Sequence, residues 1–212
     1  MGLTDKAILA ALLAATKKAP HDTVIGYVPN AREVKKERSR IADRMAGLEK
    51  LGFSVVKIDL ENFKGRKLEQ RLNGVDVIYV GGGNSFRLLS TMRKSGFAKL
   101  VPKLLDHGKL YIGSSAGSYV TCPTIEQAIW KHKNSDINVV GLKDLTGLNL
   151  VPFLVTAHFI EKYRSIIKAE EKQTKYPIVA LRNTQAILVS GKKYKVIGRG
   201  ARAFFNGFSE KS

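Results

Sequence analysis

The stretch Tyr111 to Thr124 reads YIGSSAGSYVTCPT, and Gly113, Ser115 and Gly117 fit the spacing G-x-S-x-G. In that pattern a serine sits on a sharp turn between a strand and a helix, with its hydroxyl exposed at the top of a sheet. The backbone there is strained by about 1–3 kcal/mol, and the turn closes only if the residues two before and two after are small. The following helix presents free N–H groups and the positive end of its dipole, which favour developing negative charge. Ser115 is therefore the candidate nucleophile, and Ser114 occupies the variable position beside it.

A serine needs a base to activate it, and the chain has four histidines. His21 follows Pro20 in a loop. His107 falls near a helix C-terminus, where a cation is favoured for structural reasons. His132 is flanked by Lys131 and Lys133. His158 directly follows the apolar run LVPFLVTA, so it stands at the carboxyl end of a buried strand and is the expected base. A second strand, VDVIYV, ends in Gly81-Gly82-Gly83-Asn84. Consecutive glycines let a backbone approach a ligand closely and aim free N–H groups at it. GGGNSF matches neither G-x-G-x-x-G nor the Walker loop with its lysine, so a dinucleotide or phosphate site is not expected.

The elements that must carry these residues alternate between helix and strand. LTDKAILAALLAATKK has one apolar face, with Thr4 as the expected N-cap. TVIGYVP is a strand, AREVKKERSRIADRMAGLEKLG a long amphipathic helix ending at Gly52, and FSVVKIDL a strand. The helical region from Phe86 to His107 contains Gly96 and Pro102, which predicts two pieces. KLYIG is a strand, SAGSYVT a short helix stopped by Pro123, and residues 126–149 an extended loop region. EKYRSIIKAEEK reads as a helix, PIVAL as a strand, and QAILVSGKKYKVIG as a hairpin turning at Gly191 and Lys192. Strands separated by helices predict an α/β three-layer sandwich, with a mostly parallel central sheet and an antiparallel hairpin near the end. Sites in such folds lie at the carboxyl ends of strands, above all where strand order reverses.

The 212 residues suit a single domain over the whole chain, and one cysteine, Cys122, excludes an internal disulfide or a Cys-rich zinc site. The longest early apolar run, Ala7 to Ala15, is too short to span a bilayer and lacks the flanks of a signal peptide. A cytoplasmic protein is expected, with no membrane association. Lys and Arg total 36 against 18 Asp and Glu, a net charge of +18. The basic residues are spread along the chain, and aromatics, 8% of the residues, do not interleave with arginines as a stacking RNA surface requires. Nucleic acid is therefore not the expected partner.

VGGGNSFRLL, LYIGSSAGSYVTCPTI and LVTAHF together resemble the dipeptidase E family of serine peptidases, relatives of cyanophycinase with a glutamine-amidotransferase-like fold. The similarity runs from about Asp22 to Gly198. It implies Ser115 as nucleophile, His158 as general base, and an oxyanion hole from the backbone N–H groups of Gly83 and Ala116. It further implies hydrolysis of small peptides through an acyl-enzyme. No cofactor or metal is expected, and the protein is expected to be a monomer or homodimer. Asn84, Ser114 and Trp130 are the expected substrate-binding positions.

Three departures from the family stand out. The triad acid is a glutamate in the family, and LRNTQA puts Asn183 at that place. An amide oxygen can orient the imidazole but cannot neutralise imidazolium charge; Glu161, three residues after His158, is the alternative acid. The aspartate that aspartyl dipeptidases carry some fifteen residues after the nucleophile is replaced by Trp130, with Asp136 and Asp144 further along a longer loop. The strand that opens family members before the first helix is missing from MGLTDKAI.

Other readings follow from single features. Asn183 is compatible with a catalytically impaired member kept as a binding protein. The order Ser115, then Asp136 or Asp144, then His158 is that of an α/β-hydrolase esterase, yet the 43 positions between Ser115 and His158 leave little room for that fold's intervening elements.

Overall fold

Apolar residues buried on both faces explain the central strands. The structure is a computed structural model that describes residues 3, 5–131 and 136–211. Strands β1 (Val24–Val28), β2 (Ser54–Lys57), β3 (Val77–Val80) and β4 (Leu110–Gly113) form a parallel sheet in the order β2-β1-β3-β4. Every residue of β3 is buried, which is how a parallel strand covered on both faces reads. Its side chains alternate: Ile78 and Val80 join one core with Leu88, Leu89, Met92 and Phe97, while Val77 and Tyr79 join another with Ile8, Leu12, Ile41 and Leu48. Helices α1 (Lys6–Thr16) and α2 (Arg38–Glu49) supply the second face; α3 (Gly65–Asn73), α4 (Ser85–Ser95) and α5 (Phe97–Asp106) supply the first. Burying each large aliphatic side chain contributes about 1.5–3 kcal/mol.

The remainder forms a third core. After helix α6 (Ala116–Tyr119) and a long loop, β5 (Leu154–Thr156) pairs in parallel with β6 (Ile178–Ala180), joined through α7 (Arg164–Glu170). β7 (Gln185–Ser190) and β8 (Lys193–Gly198) form the hairpin expected around Gly191, and β9 (Ala203–Phe205) returns antiparallel to β6. The architecture is the mixed α/β arrangement with a mostly parallel sheet and an antiparallel hairpin.

Several boundaries differ from the sequence-based expectation. The long helix over 31–52 shortens to α2, because Ala31 to Glu37 fold as turns over the end of β1: the Ala31 carbonyl accepts from Asn84 N–H at 2.7 Å. The break between α4 and α5 falls at Gly96, with φ 85°, while Pro102 stays inside α5. Helix α3 and strand β9 were not expected. Both are short, and tertiary contact completes them: β9 exists by pairing with β6. Thr4, the expected N-cap, lies outside the described residues, and Asp5 caps α1 by accepting from Ala7 N–H at 3.0 Å. Among the described residues no strand precedes α1, and no helix is long and apolar enough to cross a membrane.

Candidate active site

Strand order reverses between β1 and β3, and the crevice at their carboxyl ends is where an open parallel sheet places a ligand. The glycine loop after β3 lies on the turns after β1. Gly81 N–H donates to Val28, and a Cβ on Gly83, whose φ is 151°, would stand 2.4 Å from the Ala31 carbonyl oxygen. Only glycine permits that approach.

The turn after β4 closes for the same reason. A Cβ on Gly113 would meet the Gly117 carbonyl oxygen at 2.4 Å, and one on Gly117 would meet the Val80 carbonyl oxygen at 2.3 Å. Between them Ser115 takes φ 52° and ψ −112°, a region a non-glycine residue enters at a cost of about 1–3 kcal/mol. Its hydroxyl emerges at the start of α6. Among the described residues no protein acceptor takes the N–H of Gly83 or of Ala116.

His158 follows β5 and Asn183 follows β6. The two strands are parallel neighbours, with Thr156 opposite Ala180, so both residues leave the sheet on one edge. His158 Nε2 lies 3.0 Å from Ser115 Oγ, and His158 Nδ1 lies 2.7 Å from Asn183 Oδ1. Because an amide oxygen only accepts, Nδ1 carries the proton, and Nε2 is left as acceptor for the serine hydroxyl. His158 itself has φ 60°. Serine, imidazole and amide thus form one hydrogen-bonded line, and an arrangement of this kind can transfer the serine proton to the imidazole as an acyl bond forms.

The other expected positions fall in different places. Ser114 lines the cleft with Ser115, His158 and the three glycines. Asn84 turns away to cap α4: its Oδ1 accepts from Arg87 N–H at 2.9 Å and its Nδ2 donates to the Ile137 carbonyl at 2.7 Å. Trp130 packs half-buried on the core of Cys122, Phe153 and Phe159 and does not line the cleft. Glu161 pairs with Arg164 and with Arg182 at 3.3 Å, and Asn183 holds the imidazole. Asp136 is buried and accepts from Ser85 Oγ at 2.6 Å; burial pushes its carboxyl up. Asp144 is exposed and pairs with Arg93 at 3.1 Å. His132 lies outside the described residues. Among the described residues no cluster of His, Cys, Asp or Glu could hold a metal ion.

Sequence reasoning missed the far wall of the cleft, a cavity of about 170 Å³. Tyr27 and Tyr79 stand directly opposite one another in the β1–β3 ladder, their rings 5.7 Å apart. Arg32, from the turns after β1, and Arg44, on α2, complete the wall. Burial lifts both phenols, Tyr27 to about 12, against the opposing pull of Arg44 on each. Arg32 is paired with Glu37 at 2.5 Å, whereas Arg44 has no carboxylate in ion-pair range among the described residues. A polar residue just past a strand end was the available signal for Arg32; nothing in the spacing of α2 singled out Arg44.

The sequence matches the family model Peptidase family S51 over residues 3–197. It is 32% identical to an uncharacterized peptidase of Pasteurella multocida (strain Pm70) over 173 residues, covering 79% of this chain and 82% of that protein. A peptidase E of Streptomyces coelicolor is 30% identical over 148 residues, 65% of this chain and 58% of that protein. The 1.5 Å crystal structure of a Listeria monocytogenes protein provisionally named peptidase E superposes with a TM-score of 0.74 at 27% identity, covering 90% of this chain and 93% of that one.

Proposed function

This chain belongs to peptidase family S51 and is a peptidase, and from that premise we propose that it hydrolyses small peptides through an acyl-enzyme on Ser115. The observation that carries the reading is the continuous line from Ser115 Oγ through His158 to Asn183 Oδ1. In the proposed reaction Ser115 Oγ adds to the scissile carbonyl carbon while its proton passes to His158 Nε2. The carbonyl oxygen, now an oxyanion, accepts from the N–H groups of Gly83 and Ala116, the kind of interaction worth about 10²–10³ in turnover per donor. His158 returns the proton to the leaving amine, and a water deprotonated by the same imidazole releases the acid. Asn183 holds the tautomer without countering the imidazolium charge, so turnover is slow compared with a triad that ends in a carboxylate. Ser114 and the Tyr27–Tyr79 wall border the bound peptide, and Arg44, without a carboxylate partner among the described residues, favours a peptide bearing an anionic group near the scissile bond.

A fluorophosphonate probe tests this. It labels the wild-type protein and Ser114→Ala, and Ser115→Ala abolishes the labelling. Absence of labelling in the wild type from mild acid to mild base would overturn the reading.

A further inference from the structure

The peptide just before His158 faces away from the neighbouring strand. Past the pair Thr156–Ala180, β5 and β6 exchange two more hydrogen bonds, Leu181 N–H to the Thr156 carbonyl at 2.8 Å and Phe159 N–H to the Leu181 carbonyl at 2.9 Å. The Ala157 peptide between them must find partners elsewhere, since a half-buried backbone amide left unpaired costs as much as a lost hydrogen bond. It finds them in two side chains. Ala157 N–H donates to the Tyr119 hydroxyl at 3.2 Å, and the Ala157 carbonyl accepts from the Lys131 ammonium. Lys131 also donates to the Tyr119 hydroxyl at 3.3 Å, which closes a ring of three hydrogen bonds around the peptide immediately before the imidazole.

Resting on the reading of Ser115 and His158 above, we propose that Lys131 is a positioning residue for the histidine: its ammonium clamps the Ala157 carbonyl and so fixes the left-handed turn that aims His158 Nε2 at Ser115. Residue 158 has φ 60°, a conformation that must be imposed by its surroundings. Tyr119, on α6 just past Ser115, and Lys131, on the following loop, tie the segment that bears the serine to the turn that bears the base.

The clamp is charge-assisted, and a hydrogen bond from a charged donor is roughly twice as strong as a neutral one. Among the described residues, the groups facing Lys131 are the Tyr119 ring at 6.0 Å, the Tyr163 ring at 5.8 Å, which also carries Lys162 at 5.4 Å, the Ala157–His158 turn, and Asp136 across the loop. Burial draws the ammonium down to about 8, and Asp136 opposes that fall only in part. Above that pH the clamp loses its charge, and the imidazole loses its aim.

The test reads the rate of fluorophosphonate labelling against pH. In the wild type the rate falls as pH rises through about 8. Lys131→Arg, which stays charged, keeps its rate to at least pH 9.5, and Lys131→Met is slowed tenfold or more at pH 7. Tyr119→Phe, which removes the shared hydroxyl, slows labelling in the same direction and guards against a Met variant that fails to fold. A wild-type rate that stays flat to pH 9.5, or the same alkaline fall in wild type and Lys131→Arg, overturns the proposal while Ser115 still labels. No labelling of the wild type at any pH overturns the serine reading itself, and this inference with it.

Discussion

Asn183 Oδ1 accepts from His158 Nδ1 at 2.7 Å, from the strand end adjacent to the one that carries the histidine. The amide occupies the place from which a carboxylate would both orient the imidazole and offset its positive charge. Only the first of those two effects is available to it. Replacing Asn183 by Asp changes no shape and adds the missing charge, so it is expected to raise kcat by tenfold or more. Asn183→Leu, with no acceptor, is expected to lower it by at least tenfold. Steady-state hydrolysis of a panel of short peptides decides; equal turnover in wild type and Asn183→Asp would show that the imidazolium is neutralised by another group.

The elbow is a packing constraint as well as a chemical one. Gly113→Ala forces a Cβ to within 2.4 Å of the Gly117 carbonyl oxygen and is expected to destabilise the fold by about 1–3 kcal/mol while removing activity. Gly47→Ala, in the exposed interior of α2 with nothing within 4 Å of the added carbon, is expected to stabilise by roughly 0.5–1 kcal/mol. Urea titration of the two variants against wild type gives both signs in one experiment.

The two arginines on the wall of the cleft lead us to expect a preference for charge. Arg32 is engaged by Glu37, so Arg44 is the freer cation facing the substrate. Arg44→Ala is expected to raise KM severalfold for peptides with an acidic residue and to leave neutral peptides nearly unchanged. The effect should shrink in high salt, because Arg44 is exposed and its field is screened within about 10 Å at 0.1 M. Parallel KM measurements on an acidic peptide and its amide counterpart check it.

Cys122 is fully buried, and burial pushes its thiol up to about 12 although Val155 N–H donates to the sulfur at 3.2 Å. A folded-state value raised above the unfolded one favours the native protein fully below the unfolded pKa, about 8.5, and that advantage is lost as pH rises toward 12. Stability is therefore expected to decline from about pH 9 upward, and iodoacetamide at pH 8 should react only after unfolding. Mass spectrometry of the native and urea-treated protein distinguishes the two states.

The sequence by itself determined the local geometries. G-x-S-x-G dictates a tight turn because only glycines at 113 and 117 escape the carbonyl oxygens around them, and the glycines after β3 permit the close approach to Ala31 for the same reason. The alternation of β-branched runs with amphipathic stretches determined the α/β class, since each period commits a segment to bury one face or two. Where a short element depends on a distant partner, as β9 does on β6, the sequence carried no signal of its own. The tertiary structure alone decided which of the candidate side chains meet, and at what distance. The motifs had already pointed to residues 115, 158 and 183; the fold set their distances, sent Glu161 to Arg182 and Trp130 to a core, and turned Asn84 into a helix cap. It also lined the cleft with Arg44 and set Lys131 on the turn before His158. A side chain's partners depend on which strand ends lie side by side, and strand order is set by how whole sheets and helices pack rather than by any one stretch of chain.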